Sequence, residues 1–164
     1  TKYLKPLYIK EFINRISINR ILVDNGAAMN ILSFNLLPKF GKNESRLLPT
    51  NVAVRGFSGK ITKSNGVLPV QLKVGSYSKI ATFFVVITNC SYNALLESDW
   101  IHSNWCIPST LYQKLFLCND DKQIEVIFAD DETFVASSNY VEAKFYNREI
   151  GPVRVLGWLL EDDY

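Results

Sequence analysis

The sequence predicts an all-β domain with one or two short helices. Short segments that alternate apolar and polar side chains follow one another from residue 7 to residue 128, and Gly, Asn, Asp and Pro separate them. Composition supports this prediction, because 48% of the 164 residues are hydrophobic and 21% are charged. Those proportions suit a folded domain with a substantial buried core.

The first two predicted strands, residues 7–13 and 17–23, form a hairpin with its turn at residues 14–15. The hairpin ends in the segment Ile-Leu-Val-Asp-Asn-Gly-Ala, residues 21–27. An apolar strand seldom leads a carboxylate inward without a role for it, because a buried charge is costly unless it is paired or shared. Asp24 is therefore the leading candidate for a functional group. The alternative is a turn residue, since Asp-Asn-Gly is a common turn sequence.

A change of period marks residues 30–40, where apolar side chains are too dense for a half-exposed strand. Ser33 is expected to cap a short helix in this segment, because its hydroxyl can accept from a free N–H at the helix start. Pro38 and Gly41 are expected to end that helix.

Residues 51–55 and 60–63 are predicted to form the two arms of another hairpin. Glycine brackets its tip on both sides, which is the turn chemistry that a tight reversal of the chain requires. The tip consists of Gly56, Phe57, Ser58 and Gly59.

Residues 67–74 alternate and predict a strand with one buried face, in which Pro69 favours an edge position or a strand end. Residues 79–88 predict the most hydrophobic strand of the chain. A short apolar run at residues 94–96 then precedes Ser98, which is expected to be the N-cap of a short helix.

Residues 112–117 and 123–128 are predicted to pair across a polar turn. From residue 129 onward the alternation loosens, and acidic residues, Gly and Pro interrupt it. We expect residues 1–128 to form the folded domain. Residues 129–164 are expected to form an acidic tail or linker toward a downstream domain, with one added strand at residues 153–156.

Charge and cysteine content argue against several functional classes. The net charge is +2 and the basic residues are scattered, so direct nucleic-acid binding is not expected. Cys90, Cys106 and Cys118 lie far apart, which argues for a reducing compartment, and we expect a cytoplasmic location. The single His102 cannot complete a zinc cluster, and no metal or cofactor is expected. With no signal-peptide pattern and no apolar run of ~18 residues, no membrane contact is expected.

Three motifs occur in an order that resembles one protein family. They are the turn Asp24-Asn25-Gly26-Ala27, the glycine-tipped hairpin at residues 56–59, and the apolar run that enters a short helix at residues 94–100. On these residues the chain resembles the retropepsin-like aspartic protease domains in the polyproteins of plant gypsy-type LTR retrotransposons. The resemblance covers about residues 5–128, and the tail is similar to the connector that precedes the next polyprotein domain.

The resemblance implies a closed, single-lobed β-barrel that cleaves a polypeptide substrate. In this family two carboxylates share one water, and one keeps a proton because two close like charges cannot both ionise. This chain carries one candidate acid, so the resemblance implies a homodimer with Asp24 of each copy facing the other across a two-fold axis. Gly26 would let the turn bring its backbone close to this pair and would supply the φ/ψ freedom that the turn needs. Ala27 would be small for the same reason, and its backbone would lie near substrate. The hairpin tip with Phe57 and Ser58 would be the flap that closes over substrate.

The sequence departs from the family pattern at three positions. Asn25 stands where the family carries a hydroxyl residue that locks the two turns together, and Glu97 and Ser98 replace the Gly and Arg of Leu-Leu-Gly-Arg-Asp. Two hypotheses follow. The protein is an aspartic endopeptidase that processes its own polyprotein, or it is an inactive remnant that dimerises or binds peptides without turnover. A β-barrel interaction domain unrelated to proteases is a third possibility.

Overall fold

The computed structural model describes residues 5–55 and 61–130. Their strands are β1 (Tyr8–Ile13), β2 (Ile16–Val23), β3 (Ile31–Ser33), β4 (Ala53–Arg55), β5 (Ile61–Lys63), β6 (Gly66–Val74), β7 (Tyr77–Val86), β8 (Ala94–Leu96), β9 (Cys106–Ser109), β10 (Lys114–Cys118) and β11 (Ile124–Phe128). Helical structure is limited to α1 (Ser98–Ser103) and two 3₁₀ helices (Phe34–Phe40 and Glu44–Arg46) in the described residues. Six strands close into a barrel in the order β1-β2-β8-β3-β7-β6. The predicted all-β class, closed barrel and short helices are confirmed.

The predicted first hairpin is present, and local backbone chemistry explains its turn. Strands β1 and β2 pair antiparallel with Ile13 opposite Ile16, so Asn14 and Arg15 form a two-residue loop. Both loop residues have positive φ, 49° and 65°. Two-residue loops of this kind match the right-handed twist of the strands they join, and Asn tolerates positive φ well.

The prediction for residues 30–40 missed a strand. Residues 31–33 form β3, and all three are buried between β7 and β8. A strand that is buried on both faces shows no alternation and is easily mistaken for a helix. The predicted short helix is present as the 3₁₀ helix Phe34–Phe40, with Ser33 at its N-cap position, but the Ser33 side chain makes no capping hydrogen bond and Pro38 lies inside the helix. Gly41 does end it, with φ of 62°.

Strand β6 alternates as predicted, with every second residue buried. Pro69 lies opposite Thr82 on β7, whereas β1 pairs with β6 only at Leu72 and Lys73. The proline therefore lies where β6 has a strand neighbour on one side, although the barrel as a whole is closed. Its missing N–H costs no inter-strand hydrogen bond there.

A second sheet of three strands, β11-β10-β9, packs one face on the barrel. Strands β10 and β11 confirm the predicted pairing of residues 112–117 with 123–128, whereas β9 was not predicted. Inward side chains from this sheet join the main core: Cys106, Leu115, Leu117 and Ile127. The backbone N–H of Asp130 donates to the Tyr8 carbonyl at 2.7 Å, so the chain returns to β1 after β11.

The domain limits stay predictions. Ala129 and Asp130 still bond to the folded part, through the Gln113 and Tyr8 carbonyls. The predicted tail beyond them, with its added strand at residues 153–156, lies outside the described residues.

Candidate active site

Asp24 directly follows β2 at one end of the barrel. Strand β2 runs parallel to β8, with Val23 opposite Leu96, and the Asp24 N–H donates to the Leu96 carbonyl at 3.1 Å. Val23 is buried and its N–H donates to the Leu7 carbonyl at 2.9 Å. The neighbouring strands therefore hold the backbone on both sides of Asp24, while its side chain stays half-buried.

The turn after Asp24 closes on the carboxylate itself. The Gly26 N–H donates to Asp24 Oδ1 at 2.8 Å, and the Ala27 N–H donates to the Asp24 carbonyl at 3.3 Å. An Asp side chain that accepts from the N–H two residues later forms an Asx turn. This hydrogen bond orients one carboxylate oxygen and leaves Oδ2 for other contacts.

The expected role of Gly26 needs a correction. Its φ lies outside the left-handed region, so the backbone conformation does not demand glycine. The constraint is space, because a Cβ on Gly26 would lie 3.3 Å from Asp24 Oδ1. Glycine therefore allows the turn to approach the carboxylate closely enough to donate a hydrogen bond to it.

An apolar cluster lies beside the Asp24 turn, on the opposite strand faces from the main core. Its buried members are Ile31, Val86 and Leu95. Half-buried side chains border it: Leu22, Ala27, Met29, Val54 and Tyr92. We call these eight residues the open cluster. Val54 belongs to β4, the first arm of the predicted flap hairpin.

Sequence reasoning had not assigned Met29, Val54 or Tyr92 to the site. Burial raises the pKa of the Tyr92 hydroxyl, and Cys90 and then Asp24 add to the shift. The phenol therefore stays neutral beside the carboxylate at any physiological pH.

Glu97 and Ser98, the two residues that depart from the family pattern after the apolar run, contact the Asp24 turn segment through their backbone N–H groups. The Ser98 N–H donates to the Ala27 carbonyl at 3.2 Å, and the Glu97 N–H donates to Asn30 Oδ1 at 2.9 Å. Glu97 has φ of −81°, which any residue adopts, so glycine is not required there. Burial, followed by the charge of Asp99, raises the pKa of the Glu97 carboxyl. Glu97, not the predicted Ser98, is the N-cap of α1, and its side chain makes no capping bond.

Asn25 is exposed at the outer edge of the turn. The predicted flap tip, Gly56 to Gly59, lies outside the described residues. Its arms pair as expected, since β4 and β5 are antiparallel with Val54 opposite Thr62. Asp24, Asn25, Gly26 and Ala27 thus form one turn at the mouth of the open cluster, and the predicted flap hairpin contributes Val54 to the same cluster.

Within the described residues, no group of three or more His, Cys, Asp or Glu side chains is arranged to hold a metal ion. The same part of the chain contains no helix that is long and apolar enough to span a membrane. The three cysteines carry free thiols, and the Cys106 thiol is buried.

No protein-family model and no curated protein sequence matches this chain. Solved structures do match. The retroviral protease-like domain of Ddi1 from Leishmania major aligns with a TM-score of 0.57 at 15% identity, covering 78% of this chain and 98% of that one.

Two further solved structures match with a TM-score of 0.50. The EIAV protease complexed with the inhibitor HBY-793 has 18% identity and covers 60% of this chain and 88% of its own. A retropepsin-like aspartic protease from Rickettsia conorii has 19% identity and covers 74% and 89%. At such identities the likeness concerns the fold, and the chain has the retropepsin-like fold of aspartic proteases.

Proposed function

We propose that this protein is an aspartic endopeptidase in which Asp24 residues from two copies activate one water molecule. One observation carries the proposal. A half-buried carboxylate, oriented by the Gly26 N–H at 2.8 Å, lies at the mouth of the open cluster in a retropepsin-like barrel. A charged group beside an apolar, partly open surface is the usual composition of a substrate site.

The chemistry requires two carboxylates in different protonation states. The ionised carboxylate takes a proton from water while the water oxygen attacks the peptide carbonyl carbon, and the protonated carboxyl donates its proton to the carbonyl oxygen. As the C–N bond breaks, the first carboxyl passes the proton it took from water to the leaving amine, and the second takes a proton back from a hydroxyl of the tetrahedral intermediate. One chain supplies one such acid, so a homodimer with a two-fold axis between the Asp24 turns completes the pair. Exposed Asn25 beside this axis carries a donor and an acceptor, which suits a bond between the two turns.

The proposed substrate is a polypeptide, bound as an extended strand. Apolar side chains that flank the scissile bond would occupy the open cluster, and the hairpin with Gly56, Phe57, Ser58 and Gly59 would cover them. The resemblance of the Asp24 turn and of residues 94–100 to plant gypsy-type sequences favours a retrotransposon polyprotein, processed in the cytoplasm, as the natural substrate.

A second candidate is an inactive module that dimerises or binds peptides through the same surfaces. Asn25 favours it, because an amide is larger than the hydroxyl of the family and the proposed axis is crowded. Glu97 favours it as well, since it adds a carboxyl near the turn where the family has glycine. This candidate predicts a dimer that binds peptide without cleaving it.

The deciding experiment compares wild-type protein with Asp24→Asn, which keeps the size of the side chain and an oxygen for the Gly26 N–H. Cleavage of oxidised insulin B chain is followed between about pH 4 and 6, where a carboxylate pair holds one proton. We expect Asp24→Asn to lose about 10³-fold or more of the activity. Exposed Asp121→Asn, with the same change of charge, is expected to match wild type.

Activity that survives in Asp24→Asn would exclude Asp24 as the catalytic acid. Sedimentation of the same samples tests the dimer. A protein that stays monomeric at micromolar concentration while cleaving substrate would contradict the paired site, and a dimer without cleavage would support the inactive module.

A further inference from the structure

Asn30 ends the segment that begins at Asp24, and its side chain is 5% exposed. The amide uses both of its functions on backbone groups of two different elements. Its Nδ2 donates to the Thr82 carbonyl on β7 at 3.2 Å, and its Oδ1 accepts from the Glu97 N–H at 2.9 Å. The Asn30 carbonyl accepts from the Phe84 N–H at 2.9 Å, so this residue is attached to β7 twice.

Residues 96–98, at the end of β8 and the start of α1, form hydrogen bonds to the segment between Asp24 and Asn30. Leu96 accepts from the Asp24 N–H, Glu97 donates to Asn30, and Ser98 donates to the Ala27 carbonyl. The first and third contacts join backbone to backbone, so they persist whatever side chains occupy those positions. The contact at residue 30 is the one of these three that depends on a side chain. Residue 30 is therefore where side-chain chemistry sets the distance between the Asp24 turn and α1.

We propose that Asn30 is a positioning residue that holds the Asp24 turn in its catalytic orientation through β7 and the start of α1; this inference rests on the proposed peptidase activity of Asp24. One planar side chain at residue 30 must donate to the Thr82 carbonyl and accept from the Glu97 N–H, and an amide can do both. An ionised carboxylate of the same shape presents two acceptors and repels the Thr82 carbonyl. A protonated carboxyl restores the donor.

This requirement makes Asn30→Asp a sensitive probe. Its carboxyl can replace both hydrogen bonds while protonated and loses the bond to Thr82 once ionised. Asn104→Asp is the matched control, because Asn104 is 6% exposed and its Nδ2 donates to the Trp100 carbonyl at 2.7 Å, at the far end of α1. Both variants bury a new carboxyl beside a backbone carbonyl, but Asn104 makes no hydrogen bond to the Asp24 turn.

The experiment measures kcat and KM for oxidised insulin B chain against pH, well below the melting temperature of each variant. We expect Asn30→Asp to match wild type at the acid end and to lose about 10-fold or more in kcat as its carboxyl ionises, with KM within about twofold. Asn104→Asp is expected to keep the wild-type profile. The positioning role would be overturned if the kcat of Asn30→Asp had the same pH dependence as that of wild type. It would also be overturned if Asn104→Asp lost kcat with rising pH to the same extent as Asn30→Asp.

Amide hydrogen exchange separates this inference from the proposed function, because it needs no activity. In Asn30→Ala the N–H groups of Gly26 and Glu97 are expected to exchange at least 10-fold faster than in wild type, beyond any change in Asn104→Ala. Equal exchange in the two variants would overturn the inference. If wild-type protein shows no cleavage that depends on Asp24, the proposed function fails, and the exchange comparison still decides whether Asn30 holds the turn.

Discussion

The main core and the open cluster lie on opposite faces of the same strands, and their difference separates stability from function. Leu32, Val85 and Leu96 point into the main core and are not exposed at all. Their direct neighbours in the chain, Ile31, Val86 and Leu95, belong to the open cluster. Successive residues of a strand point to opposite faces, so β3, β7 and β8 each contribute to both.

The two clusters differ in what surrounds them. The main core is enclosed by the barrel and the β9–β11 sheet, whereas half-buried side chains such as Met29 and Tyr92 border the open cluster next to Asp24. Apolar surface that stays partly open beside a carboxylate is available to a ligand. Apolar residues in these strands therefore fall into two groups: one stabilises the barrel, and the other stays partly open beside Asp24. Four substitutions separate these roles, and their expected effects on the free energy of unfolding decrease from Leu32 and Leu95 to Glu11 and Gly26.

Leu32→Ala should be the most destabilising of the four. The side chain is fully buried on the main-core face of β3, so its loss leaves a cavity that rigid strands on both sides cannot fill. We expect the free energy of unfolding to fall by about 2–5 kcal/mol. Urea denaturation measures it. A loss below about 1 kcal/mol would mean that the core is less tightly packed than the burial of Leu32 indicates.

Leu95→Ala makes the same chemical change on the other face of the neighbouring strand. The space left at Leu95 adjoins the half-buried border of the open cluster and can relax, so we expect a cost of about 2 kcal/mol or less. Its effect on function should be larger than that of Leu32→Ala, with KM for an apolar peptide raised about 10-fold in the protein that remains folded. If Leu32→Ala raised KM equally, the two clusters would not have separate roles.

Glu11→Gln tests a titratable group that lines the main core. Burial, then the charge of Glu125, raises the pKa of the Glu11 carboxyl, and the Gly75 N–H at 3.1 Å and Lys73 oppose the shift. An acid whose folded pKa is raised stabilises the fold below its unfolded pKa, and this contribution is lost as pH rises through the folded pKa. We therefore expect Glu11→Gln to melt about 2–4 °C above wild type at pH 7.

The difference in melting temperature between Glu11→Gln and wild type should shrink toward zero as the pH falls below the ordinary pKa of glutamate. At such pH the wild-type carboxyl is protonated in both the folded and the unfolded state. Asp121→Asn, which removes the same charge from an exposed side chain, serves as the control for a surface change of charge. Melting curves at several pH values would contradict the argument if Glu11→Gln were destabilising at pH 7.

Gly26→Ala should change stability least and activity strongly. The φ of Gly26 suits any residue, so we expect a cost below about 1 kcal/mol. The added Cβ would lie 3.3 Å from Asp24 Oδ1 and would push the carboxylate or the turn by a few tenths of an ångström. Cleavage is expected to fall about 10-fold or more, because misplacement of a reacting group by such distances is costly. Unchanged cleavage would show that the carboxylate tolerates this crowding.

Sequence reasoning succeeded where the signal is local. The hairpin turn at Asn14 and Arg15, the alternation of β6 and the Asp24 turn each depend on residues close together in the chain. It failed for β3, because burial on both faces removes the alternation that marks a strand. It also failed for Asn30, whose amide partners lie 52 and 67 residues away. A lone Asn after a turn carries no local sign of such contacts.

The strand-rich class, the first hairpin and the candidate carboxylate follow from the amino-acid sequence, because turn chemistry and alternation are properties of neighbouring residues. The tertiary structure alone decided which apolar residues stabilise the barrel and which border Asp24, since that depends on strand pairing between distant segments such as β2 with β8. It also showed that Gly26 is needed because a larger residue would crowd the Asp24 carboxylate. Glu97 and Ser98 support the turn through hydrogen bonds from their backbone N–H groups. These N–H groups bond to a segment that is far away in the chain, so no local sequence pattern reveals the contacts.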